Sequence, residues 1–307
     1  MISEKIVVGE GTEYPLNGLL TLPEGLSGPA PAVVMVHGSG PSDMDEKVMK
    51  LTPFKDLAEG LAERGVASVR YDKRTFVYGR KLMKNVGKDM SVREETVEDA
   101  ILAARLLKND PRIDSERIYI LGHSMGAMLA PRIDTEGADA AGFILMAGSP
   151  CRLEDIVIRQ LGQSGGKGLK GKIVELAKRN LSKKFEGLYE MSDEEAKKKK
   201  ASGPVTLYYF KEMGKKTAAD YLLESSKPCF IMQGEKDFQA LADEDFAAFR
   251  ELLKNRPNTK FKLYPGLDHS FVEAIYDDIL YASKEYAAER HIQAEVLDDI
   301  AGFISGN

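Results

Sequence analysis

Tryptophan is absent from the 307-residue chain, cysteine occurs twice and histidine four times. Two cysteines cannot form a disulfide framework, and Cys151 and Cys229 fall at opposite ends of consecutive candidate strands. Those ends are about 15–20 Å apart for strands of this length, beyond the reach of a disulfide. Two free thiols suit a reducing compartment, so a cytoplasmic location is expected. The scattered histidines offer no metal-ligand spacing. Asp43 and Asp45 have no histidine or cysteine partner at a suitable interval, so neither a metal nor any other cofactor is expected. No apolar run reaches the length of a membrane span, and the first ten residues lack the basic start and apolar stretch of a secretory signal. A net charge of −5 argues against a nucleic-acid surface.

The remaining pattern is one of alternation. Short apolar or β-branched runs at Ile6–Val8, Leu19–Leu22, Ala32–Val36, Val66–Tyr71, Ile118–Leu121, Gly142–Ala147, Cys229–Gln233 and Lys260–Tyr264 are separated by helical periodicities, the signature of an α/β fold. The first two runs, joined by a short turn region, predict an antiparallel start, and the continuous run at Ala32–Val36 predicts a strand buried on both faces. Phe54–Arg64 and Ile292–Ile304 are amphipathic. Ser91, with Glu94 three residues on, predicts a capped helix to about Lys108. Residues 151–226 interrupt the alternation with over seventy helix-forming residues and no strand-like run. They carry a net +5 against −10 for the rest. The expectation is an α/β core formed by 1–150 and 227–307, with 151–226 inserted after the sixth core strand as a helical cap. Lys197–Lys200 reads as a solvated helix face.

Directly after Ile118–Leu121 comes Gly122-His123-Ser124-Met125-Gly126, a strand running into a Gly-x-Ser-x-Gly turn. The turn lifts a serine above the sheet edge, and Met125–Ile133 reads as the following helix, ended or kinked by Pro131. A serine hydroxyl needs a base. His37 and His123 sit inside turn motifs and His291 just ahead of the last helix, whereas His269 follows the last strand at the same sheet edge as Ser124. The histidine in turn needs a carboxylate, and Asp237 leaves the preceding strand on the same edge. Glu235 and Asp268 are the competitors. An oxyanion would be held by the amide of Met125 and by one from the glycine-rich loop after Ala32–Val36, with Ser39 preferred and Gly38 the alternative. Asp72 and Arg74 read as loop braces. Tyr208, Tyr209, Phe210 and Phe238 are candidates for a substrate pocket. Gly166–Lys172 approaches a phosphate-binding loop, but Ile173 replaces the required hydroxyl and no strand precedes it.

Taken together, His37-Gly38-Ser39-Gly40-Pro41, Arg70-Tyr71-Asp72-Lys73-Arg74, Gly122-His123-Ser124-Met125-Gly126 with Ala130-Pro131, Gly234-Glu235-Lys236-Asp237 and Asp268-His269-Ser270-Phe271 resemble the α/β-hydrolase superfamily. Within it the likeness is to serine esterases related to dienelactone hydrolases and to prolyl-oligopeptidase catalytic domains. The resemblance implies an eight-stranded, mostly parallel sheet flanked by helices, and ester hydrolysis through an acyl-enzyme on Ser124, His269 and Asp237. The expected substrate is a small-molecule ester, and the polar, tryptophan-free cap points to a short to medium acyl group. Oligomeric state is left open, as is a peptidase, an amidase, an acyl-CoA thioesterase or an inactive binding module. Ala127, where many relatives have a second glycine, and a cap without tryptophan depart from the pattern around the acyl pocket.

Overall fold

The computed structural model of the chain describes residues 1–25, 27–165 and 168–306. Its strands are β1 (Ile2–Val8), β2 (Leu16–Leu22), β3 (Ala30–Val36), β4 (Ala67–Tyr71), β5 (Ile113–His123), β6 (Gly142–Met146), the short β7 (Lys200–Ser202) and β8 (Val205–Thr206), β9 (Cys229–Gly234) and β10 (Thr259–Tyr264). Eight of them form one sheet in the order β1-β2-β4-β3-β5-β6-β9-β10. β1 and β2 pair antiparallel, β2 pairs antiparallel with β4, and every remaining pair is parallel. Strands β4, β6 and β9 are buried throughout, as are Ala32–Val36 of β3 and Ile118–His123 of β5, and successive side chains enter opposite cores, as a two-residue period requires. Val34, Val36, Ile120, Phe143 and Leu145 pack into one core. Val33, Met35, Leu121, Ile144 and Met146 pack into the other. Each such side chain contributes about 1.5–3 kcal/mol of burial free energy.

Helices close both faces. They are α1 (Pro53–Glu63), α2 (Arg74–Asn85), α3 (Glu98–Lys108) and α4 (Met125–Ile133), then α5 (Leu153–Gln163), α6 (Gly168–Phe185), α7 (Asp193–Lys198), α8 (Leu207–Gly214) and α9 (Ala218–Glu224). The chain ends with α10 (Ala247–Leu252), α11 (Ala282–Glu285) and α12 (Ala294–Ser305). The Ser91 start is real but shifted. Glu94 accepts from the Ser91 amide and hydroxyl, Ser91 Oγ accepts from the Arg93 amide, and a π-helical turn at Arg93–Val97 precedes α3. Pro131 does not end α4, which runs on to Ile133 and widens into a second π-helical turn, Asp134–Ala138.

Between β6 and β9 the chain is helical from α5 to α9, apart from the β7–β8 hairpin that the sequence pattern did not indicate. Its strands are two or three residues long, too short for a periodic signal. Lys198, Lys199 and Lys200 are exposed as expected, whereas Lys197 is half-buried, its ammonium 2.8 Å from Asp89 and 4.8 Å from the centre of the Tyr208 ring. Gly166 and Lys167, which begin the phosphate-loop look-alike, lie outside the described residues. Among the described residues both cysteines are free, and no helix is long and apolar enough to cross a membrane.

Two glycines fix where β5 hands over to α4. A side chain at Gly122 would overlap the Gly126 carbonyl, and one at Gly126 would overlap the carbonyl oxygens of Val36 and His37. Backbone fills the space that a Cβ needs, so Gly126→Ala is expected to lower stability by about 1–3 kcal/mol. Urea melts check this; a loss under about 0.5 kcal/mol would show that the turn can relax.

Candidate functional site

Ser124 occupies the turn between β5 and α4 with φ 54° and ψ −120°, a conformation that costs a non-glycine residue on the order of 1–3 kcal/mol. It is half-buried and its amide is anchored to the Met146 carbonyl at 2.9 Å. As N-cap of α4 it leaves the helix's first amide, that of Met125, without an intrahelical partner. A side chain at Gly38 would come within 3.2 Å of Ser124 Cβ, so glycine there keeps the loop after β3 tight against the serine.

His269 and Asp237 stand on adjacent loops. Gly234 lets those loops touch, since a Cβ there would run into the carbonyls of Leu267 and Asp268. The Lys236 amide donates to the Leu267 carbonyl at 2.8 Å. Asp237 is buried. Its Oδ1 accepts from the amides of Gln239 (2.7 Å) and Ala240 (3.0 Å), and its Oδ2 lies 2.9 Å from Gln233 Nε2 and 2.7 Å from His269 Nδ1. A carboxylate so fixed holds the Nδ1–H tautomer and leaves Nε2 free to act as a base. Glu235 is turned elsewhere and accepts from the Gly266 amide. Asp268 accepts from the Ser270 and Val272 amides, shaping the loop under His269. His291 pairs with Asp56 at an exposed position.

Ser124 and His269 both line a cavity of about 520 Å³, together with Ser39, Met125, Tyr209 and Phe210. Its walls are mostly apolar, with Met83, Met90 and Met128 from the core side and Leu153, Ile156 and Val157 from α5. Tyr208 and Phe238 do not line it. Tyr208, Tyr209 and Phe210 are successive residues of α8, about 100° apart around the axis, so all three cannot face one cavity. Phe238 packs in a separate cluster with Leu51, Val272 and Tyr286. Ala127 is also away from the cavity. Its methyl faces Gly148, where a Cβ would lie 2.8 Å from it. Among the described residues no group of three or more potential metal ligands gathers.

Around this geometry lies a set of buried charges to which the sequence reading assigned no role. Glu46, itself at φ 51°, accepts the Gly38 amide at 2.6 Å and lies 2.9 Å from His123 Nδ1. With Gly38 N–H occupied, the amides of Ser39 and Gly40 are the ones in this loop that line the cavity and meet no protein acceptor among the described residues, and Ser39 is the nearer to Gly38 in the chain. Lys73, 1% exposed, donates to the Gly38 carbonyl at 2.7 Å and to Glu95 at 2.6 Å, and Glu95 also accepts from the Tyr209 hydroxyl at 2.7 Å. Asp72 and Arg74 are braces to different partners. Asp72 holds the Met44 amide, and Arg74 binds Asp99 and Glu98 of α3. The one available signal was Lys73 itself, a lysine two residues beyond a strand-like run, where a charge that becomes buried must find partners.

Residues 33–278 match the alpha/beta hydrolase family. The chain belongs to that family. It is 34% identical over 295 residues to esterase EstD of Thermotoga maritima, covering 95% of this chain and 66% of the relative, so it spans about two thirds of that protein's length. The fold is shared with Est1E of Butyrivibrio proteoclasticus (TM-score 0.58, 16% identity, 99% of each chain covered). It is shared too with an acylaminoacyl peptidase of Pyrococcus horikoshii (TM-score 0.57, 13% identity, 99% of this chain and 41% of the other). Both esterases and a peptidase have this architecture, so the fold alone does not choose between ester and amide.

Two buried histidines of these turns, His37 and His123, end with opposite shifts although burial lowers both. Burial pushes His37 down to about 4. Burial also opposes a charge on His123, but Glu46 and the His269 carbonyl, 2.9 Å from its Nε2, outweigh it and lift the imidazole to about 9. A free histidine titrates near 6.5. The His123–Glu46 pair therefore gives its full stabilisation below about pH 6.5 and loses it as pH rises through about 9. His37 costs stability as pH falls from about 6.5 to about 4. Thermal melts should show Tm falling by several degrees between pH 6.5 and 9. In the His123→Gln/Glu46→Gln double variant that alkaline slope should vanish; a slope equal to wild type would rule out this pair as its source.

Proposed function

We propose that this protein is a serine hydrolase acting on carboxylic esters of short to medium acyl chain. The observation that carries the reading is the convergence of Ser124 on a strained turn with His269, whose Nδ1 is held by Asp237 at 2.7 Å, on one apolar cavity. Ser124 Oγ attacks the ester carbonyl while His269 Nε2 takes its proton, and the resulting imidazolium is stabilised by the Asp237 carboxylate. The tetrahedral oxyanion accepts from the amides of Met125 and Ser39, each such donor being worth about 3–4 kcal/mol at the transition state. Collapse expels the alcohol, protonated by His269, and leaves an acyl-Ser124 ester. Water, deprotonated by the same imidazole, releases the acid and restores the serine.

Residues 151–226 act in this reading as a cap. α5 and α8 supply one wall of the cavity, and the acyl chain lies among their side chains, with Tyr209 and Phe210 against it. The volume of about 520 Å³ lies within the range of small-molecule sites, about 300–1,000 Å³. Ester over amide is supported by the 34% identical relative named an esterase.

Ser124→Ala should abolish both hydrolysis of p-nitrophenyl butyrate and labelling by a fluorophosphonate probe. Asp237→Asn should lower kcat by about 10³–10⁴-fold through the wrong histidine tautomer. Labelling that persists in Ser124→Ala would remove the nucleophile from the mechanism. Across a p-nitrophenyl ester series, kcat/KM should peak between butyrate and octanoate and fall by at least about tenfold at palmitate. Equal turnover from acetate to palmitate would count against this cavity as the acyl site.

A further inference from the structure

A buried lysine holds the loop that carries the Ser39 amide. The Gly38–Ser39 peptide is trans, so its N–H points opposite to its C=O. Fixing the Gly38 carbonyl therefore fixes the direction of the Ser39 N–H. The carbonyl is held by Lys73 Nζ at 2.7 Å, and Ser39 itself lines the cavity. The preceding peptide is held as well, because the Gly38 amide donates to Glu46 at 2.6 Å. Glycine at position 38 would otherwise leave the loop the freest backbone at the site, and both of its peptide planes are tied to buried charges.

Lys73 has a second partner, and that partner reaches the inserted segment. Glu95 Oε1 takes Lys73 Nζ at 2.6 Å, and Glu95 Oε2 accepts from the hydroxyl of Tyr209 on α8 at 2.7 Å. The same hydroxyl lies 3.6 Å from Met125 Sδ, beside the other amide of the site. Tyr209, Glu95 and Lys73 thus form one buried chain from the cavity wall at 207–214 to the Gly38 carbonyl. The chain needs no group to change its protonation. Burial and the Glu95 carboxylate hold Tyr209 neutral, well above the usual range of a phenol, so it can only donate to that carboxylate.

We propose that Lys73 is a positioning residue that aims the Ser39 amide at the developing oxyanion, and that Tyr209 couples this aim to the seating of residues 207–214 through Glu95. The inference rests on the ester-hydrolase reading above. A donor misaligned by loss of its anchor should cost less than the 10²–10³-fold of a donor removed outright. Its effect should fall on the transition state rather than on substrate binding.

Three variants test this: Lys73→Met, Lys73→Met/Glu95→Gln (which removes both charges together, so that neither is left buried alone), and Tyr209→Phe, which deletes only the hydroxyl. Each is measured for kcat and KM with p-nitrophenyl butyrate and for affinity toward an alkyl trifluoromethyl ketone, which adds reversibly to an activated serine. Lys73→Met and the double variant should lose about 10–100-fold in kcat with KM within about threefold. Tyr209→Phe should lose about 3–10-fold. Ketone affinity should weaken in step with kcat/KM in all three. Folded variants that keep kcat within twofold, or that change KM alone, would overturn the proposal, and Tyr209→Phe decides its second half even if both lysine variants misfold. If the ketone and a fluorophosphonate fail to bind wild type at Ser124, the hydrolase reading itself falls. If wild type binds them and the variants bind equally well, only the role of Lys73 and Tyr209 is lost.

Discussion

The site depends on backbone meeting backbone without a side chain between. Gly126 lies against the Val36 and His37 carbonyls, and Gly122 against the Gly126 carbonyl, so the start of α4, the end of β5 and the exit of β3 occupy one small volume. That packing holds Ser124 at φ 54°. It also brings the loop beginning at His37 alongside the first turn of α4, so that the amides of Ser39 and Met125 come from two different parallel strands' exits. A parallel sheet delivers all its strand exits to one edge. The glycines then bring two of those exits together, as the proposed oxyanion site requires.

Charge is handled next to this apolar cavity by pairing, with each pair tying a loop to the frame. Lys73–Glu95, Glu46–His123, Arg74–Asp99 and Arg159–Asp245 are all largely withdrawn from water. Buried pairs of this kind roughly break even in stability, because desolvation offsets attraction, but losing one partner is costly. Their value here is geometric. Glu46 and Lys73 between them hold both peptide planes of Gly38, and Arg159 joins α5 to Asp245 at the π-helical turn before α10. The walls of the cavity are therefore set by directional contacts as well as by packing.

Much of this was legible in the residues. The eight core strands, the antiparallel start and the helices at 53–63, 125–133 and 294–305 followed from runs and periods, because a strand buried on both faces has few compatible compositions. Ser124, Asp237 and His269 could be chosen because each follows a strand, and strand exits share an edge. Facing was harder. Tyr208 and Phe238 are adjacent in sequence to residues that meet the cavity, yet a step of one position on a helix or in a tight loop redirects the side chain. Sequence neighbourhood gave their location and missed their direction. The partnerships of Lys73, Glu95 and Glu46 were hidden for a related reason. They are 49 positions apart at the extremes, and a charge carries no mark in the sequence of the partner that allows it to be buried. The β7–β8 hairpin is too short to leave a period.

Ala127 and Gly148 share one methyl's worth of space. In this chain the methyl stands on the helix and the strand exit after β6 is bare. A relative with glycine at the helix position would have that volume to spare on the opposite side. The two positions are then expected to vary together across the family, small opposite large, and such a reciprocal swap should leave the cavity untouched. A substitution observed at either place alone says little about substrate preference until its partner has been read.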